Sequence, residues 1–95
     1  MNEVKKIYLL RIGVMGSEKI IRSTIDVDEF TRFLTQEINL KGADPNWTGL
    51  YVFEYCDDQK LVGADLKDII FKRIYVRIRS IDFIEEFLSF EMQDD

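Results

Sequence analysis

The chain has no histidine, one cysteine and one proline. Without histidine it lacks the commonest general base, the usual nucleophilic triads and most zinc sites. A lone Cys56 can form no internal disulfide, which fits a reducing compartment, and the expectation is a cytoplasmic protein. No run approaches the ~18 apolar residues that a membrane span needs. The apolar stretch after Lys5 and Lys6 is broken by Arg11, unlike a signal peptide. The few glycines build no phosphate-cradling loop, because Gly13 and Gly16 lead from one strand pattern into another and not into a helix. Basic charge is also in deficit, with 13 Lys and Arg against 18 Asp and Glu. A net charge of −5 argues against general nucleic-acid binding and permits a basic protein partner.

What is present makes one domain. Ninety-five residues, 46% hydrophobic and 13% aromatic, supply a single core without disulfide staples. Val4 to Met15 reads as a strand, with Tyr8, Leu10, Ile12 and Val14 on one face and Ile7 and Leu9 on the other. Apolar residues on both faces predict a central strand. Gly16-Ser17 marks a turn, and Glu18 to Ile25 a second strand, so the two form a hairpin. Asp26, three residues before Glu29, opens a capping box, and Val27, Phe30, Leu34 and Ile38 follow at helical spacing with Phe33 beside them. The helix is expected to stop near Lys41, with Gly42 in the left-handed position that favours glycine. Gly42 to Gly49 is a loop, Leu50 to Cys56 a third strand, and Lys60 to Ala64 a short return strand.

The stretch Ile69 to Glu91 concentrates most apolar surface. Up to Arg79 it alternates with period two, with Ile70, Ile74, Val76 and Ile78 on one face, only Lys72 among them, and Phe71, Arg73, Tyr75, Arg77 and Arg79 on the other. From Ser80 or Asp82 the spacing of Ile81, Ile84 and Leu88, flanked by Phe83, Phe87 and Phe90, predicts a second helix. The fold expected over residues 1–95 is therefore α+β: an antiparallel sheet of about five strands with two helices packed on it, in the order ββαβββα. That order is similar to the order of longin-like and profilin-like domains, a likeness of predicted topology that implies no function. A weak echo between Phe33-Leu34-Thr35 and Phe87-Leu88-Ser89 is compatible with a duplicated unit, though two amphipathic helices on one sheet look alike by default.

No motif reaches a catalytic signature, and no enzyme activity, cofactor or metal is expected. Asp57-Asp58 with Asp65 or Asp68 lacks the rhythm of a calcium loop and reads as turn chemistry. Asp26, Asp28 and Glu29 read as capping. Arg73, Tyr75, Arg77 and Arg79 form a basic, aromatic stripe that suits a phosphate, a base or a protein surface, or else pairs with carboxylates on neighbouring strands or is covered by the acidic flank of a helix. Trp47, in the loop, is expected to be exposed as a binding anchor; the other reading is a lid over the edge of the core. Cys56 would need a nearby cation, Lys60 for example, to be reactive. Phe90 is expected to mark an apolar patch on the second helix, and Asp82, Glu85 and Glu86 an acidic, solvent-facing side of it. Charge is segregated along the chain. Residues 81–95 hold six acids and no base, whereas Lys67 to Arg79 holds five bases and one acid.

The function these features favour is a small acidic protein-binding module, most concretely an inhibitor of a partner protein, of the immunity or phage counter-defence type. A homo-oligomeric scaffold built on the apolar second helix, and a phosphate- or nucleotide-binding domain using the arginine stripe, are the alternatives. The partner expected is a protein, basic in character, with a homodimer also possible and no membrane.

Overall fold

The structure, a computed structural model, describes residues 3–56 and 69–94. Its elements are β1 (Glu3–Val14), β2 (Ser17–Ser23), α1 (Val27–Lys41), β3 (Leu50–Cys56), β4 (Lys72–Arg77), a 3-10 turn (Ile78–Ser80) and β5 (Ile81–Asp94). One antiparallel sheet holds all five strands in the order β4-β3-β2-β1-β5. The expected return strand Lys60–Ala64 and the acidic turn at Asp57 and Asp58 lie outside the described residues.

Local chemistry sets the first half. Met15 and Gly16 take positive φ between Val14 and Ser17, which closes β1 onto β2 in a two-residue turn whose twist matches that of the strands. Buried Ser23 then leaves the strand by folding its hydroxyl onto the backbone of Ile25, donating to the carbonyl at 2.6 Å. The Asp26 carboxylate accepts from the Glu29 amide at 2.8 Å and caps α1 as the spacing predicted. The helix ends at Lys41, but Gly42 is right-handed, not left-handed as expected (φ −66°). Glycine is needed there for room: a Cβ would overlap the Ile38 carbonyl, and the Arg79 guanidinium donates to the Gly42 carbonyl.

α1 lies on the inner face of the sheet. Phe30 and Leu34 pack with Leu10, Ile12, Ile21 and Ile78, and Phe33, Ile38, Tyr51 and Phe53 close the margins. Burial of each such side chain is worth ~1.5–3 kcal/mol. On the outer face, a smaller cluster of Leu9, Ile20 and Cys56 is covered by Ile69, Phe71, Phe87 and Phe90.

The second helix does not exist; Ile81–Asp94 is a strand, so the sheet carries one helix among the described residues, and the expected ββαβββα order is wrong. The likeness to longin-like and profilin-like order and the duplication fall with it. The physical reason is β1. With apolar residues on both faces it is a central strand, and it takes β2 on one side and β5 on the other. The misleading periodicity comes from two irregularities. Gly13 and Val14 pair with Phe83 and Ile81, skipping Asp82, and Leu9 and Leu10 pair with Leu88 and Glu86, skipping Phe87. Each extra residue resets the in-out alternation. Ile81, Ile84, Phe87 and Phe90 are consequently the half-buried positions, a period of three that mimics a helix.

β4 and β5 are the outermost strands, yet only Ile78–Ser80 separates them. That connection reaches about 14 Å even if fully extended, whereas the outer strands of a flat five-stranded sheet stand about 19 Å apart. The sheet therefore curls until its two edges approach at the 3-10 turn. The β1–β2 tip and β4 come to line one cleft of about 410 Å³ there, which includes Val14, Met15, Ile74 and Val76.

Candidate protein-binding face

The register of β3 and β4 places Leu50 opposite Arg77, Val52 opposite Tyr75 and Glu54 opposite Arg73. These six side chains share the outer face, since cross-strand partners point the same way. The other set, Tyr51, Phe53, Tyr55, Ile74 and Val76, faces inward. The outer set is exposed: Leu50 is 46% exposed, Val52 50% and Tyr75 73%. Tyr75 and the two arginines are residue types enriched at interface hot spots, and Leu50 and Val52 add exposed apolar area beside them.

The arginine stripe divides. Arg77 donates from Nε to the Thr48 carbonyl at 3.2 Å, and Arg79 donates to the Gly42 carbonyl while its guanidinium lies 5.2 Å from the Trp47 ring. Both tie the 42–49 loop to the sheet, as does Ile78, whose amide donates to the Gly49 carbonyl at 2.9 Å. Arg73 is exposed beside Glu54, and no ion pair joins the two. The expected pairing of the stripe with neighbouring carboxylates is thus not how these arginines are held.

Trp47 is half-buried, not exposed. Its ring stands edge-on to Tyr51 at 6.4 Å with Arg79 over it, and it packs on the inner core. It is a lid. Phe90 lies on β5 facing the outer cluster, opposite Ile7, and not on a helical patch. Cys56 is buried in the same cluster.

Asp82, Glu85 and Glu86 sit on β5, not on a helix side. Glu85 accepts from Arg11 Nη1 at 2.7 Å, and that guanidinium also stacks on Phe87 at 4.8 Å from the ring centre. On the helix side, the Glu37 carboxylate, 3.3 Å from Lys41, raises the Lys41 pKa above its ordinary value through hydrogen bonding and charge. Among the described residues no three metal-ligating side chains gather, and no helix is long and apolar enough to cross a membrane.

Leu50 and Val52 escaped sequence reasoning. Their alternation with Glu54 was legible, but only the register brings them beside Tyr75. No protein-family model, no curated protein and no solved structure matches this chain.

Proposed function

We propose that the chain is a small protein-binding module that acts by contact and not by chemistry, with the outer face of β3 and β4 as its contact surface. The observation that carries this reading is the exposed strip of Leu50, Val52 and Tyr75 flanked by Arg73 and Arg77. Such a strip offers a rigid sheet-borne anchor whose burial by a partner removes apolar area and leaves arginine at the rim. The finer reading is a cytoplasmic inhibitor that neutralises its partner as immunity and counter-defence proteins do. Small size, acidic balance and the lack of a catalytic motif support it. The homo-oligomer reading based on an apolar second helix is withdrawn with that helix. The phosphate reading weakens, because Arg77 and Arg79 already serve backbone carbonyls.

The test is capture from the native cell with four baits: the unaltered chain, Val52→Asp, Tyr75→Ala, and Asn39→Asp on the exposed side of α1. A stoichiometric protein held by the first and last, and bound at least tenfold more weakly by the other two, supports the reading. An inhibitor would also suppress that protein's activity, and Val52→Asp would release it. Equal binding by all four baits, or no stoichiometric protein, overturns the assignment of this face.

A further inference from the structure

Among the described residues, the two charge blocks of the sequence supply the two outer strands of the sheet. β4, at one end of the strand order, carries Lys72, Arg73 and Arg77; β5, at the other end, carries Asp82, Glu86 and Glu91, all exposed. None of the side chains of Lys72, Arg73, Asp82, Glu86 and Glu91 makes an ion pair within the chain among the described residues. Unpaired edges present rows of backbone donors and acceptors to any strand that reaches them. Here β4 against a second β4 would set base against base, and β5 against a second β5 acid against acid. Only the unlike pair is free of repulsion.

From this complementarity we infer that a second copy of the chain docks head to tail, β5 of one copy along β4 of the next. The contact extends the sheet by backbone hydrogen bonding and lays Glu86 and Glu91, five residues apart on β5, along the β4 bases from Lys72 and Arg73 to Arg77, which span the same length. Apolar surface reinforces it. The cleft of about 410 Å³ beside β4 is lined by Val14, Met15, Ile74 and Val76, and β5 carries exposed Phe83 and Leu88 among its acids. A contact between two different edges is heterologous, so it propagates into a ring or a filament and does not stop at a symmetric dimer. This inference goes beyond the binding face proposed above, because it rests on the edges of β4 and β5; the two share Arg73 and the cleft residues Leu50, Tyr75 and Arg77, whereas Val52 belongs to the binding face alone.

The experiment is sedimentation velocity of the full chain over a concentration series, in low salt and in about 1 M salt, where the Debye length falls to about 3 Å. The unaltered chain should self-associate in low salt and weaken at least tenfold in high salt. Lys72→Glu with Arg73→Glu, and separately Glu86→Lys with Glu91→Lys, should each give monomer, with an unchanged far-UV spectrum. An equimolar mixture of these two variants should associate again, because each now offers what the other's edges lack. Val52→Asp should not alter self-association, which separates this inference from the binding-face reading. A monomeric unaltered chain at low salt, association indifferent to salt, or a mixture that stays monomeric although both variants are folded would overturn the inference.

Discussion

Met15 holds φ at 51° in the two-residue turn of the β1–β2 hairpin, a left-handed conformation that L-residues with a full side chain disfavour by roughly 1–2 kcal/mol. It is 85% exposed, so little packing offsets that cost. Met15→Asn should therefore stabilise the chain by about 0.5–1 kcal/mol, read as a rise of several degrees in thermal midpoint. Gly13 illustrates the opposite kind of constraint. Its backbone is not left-handed; what it supplies is space, because the Phe83 ring occupies the place that an added Cβ would take. Gly13→Ala should cost about 1–3 kcal/mol, and the cost should shrink by half or more in a Phe83→Leu background. A double-mutant cycle with no coupling would place the requirement in the backbone instead.

β5 teaches why an apolar count does not identify an element. An edge strand is bonded to one neighbour only, so in β5 the amides aimed at β1 are protected and the alternate ones face solvent. Hydrogen exchange across Ile84–Glu91 should show that alternation, interrupted at Phe87; a helix would protect consecutive amides. α1 rests on different supports. Asp26→Ala removes the cap and should destabilise the chain by about 1 kcal/mol, measured by denaturant unfolding. The Glu37–Lys41 pair is an i,i+4 surface ion pair and should contribute little to stability. Because the Lys41 pKa is raised in the folded state, any contribution is complete below the ordinary lysine pKa and is lost only as pH rises through the folded value.

The whole molecule is a curled sheet with its core on the helix side, and its stability should follow position in that core. Leu10, fully buried between β2 and β5, should cost about 2–5 kcal/mol when cut to alanine, a large share of the ~5–15 kcal/mol typical of a domain. Leu88→Ala, at an exposed site, should cost less than about 1 kcal/mol. The same geometry decides which acids of β5 can report on association. Glu85 is committed to Arg11, so reversing it places a lysine beside that guanidinium and perturbs the fold. Glu86 and Glu91 are the acids whose reversal reads association alone.

Much of this architecture was legible residue by residue. The hairpin turn at Gly16, the Asp26 cap, the helical stripe of Phe30, Leu34 and Ile38, and the strand from Leu50 to Cys56 each depend on neighbours within a few positions, and local chemistry settles them. The acidic and basic blocks were legible too, as composition. Tertiary pairing decided the rest. Ile81 to Asp94 could satisfy its backbone as a helix or as a strand; β1 had an open edge, and two skipped residues let the apolar side chains reach both faces from one strand. Register likewise set Val52 beside Tyr75 and left them exposed. The strand order carried the two charge blocks to opposite edges of one sheet. None of these is a property of spacing along the chain, because each depends on which distant backbone supplies the hydrogen-bond partners.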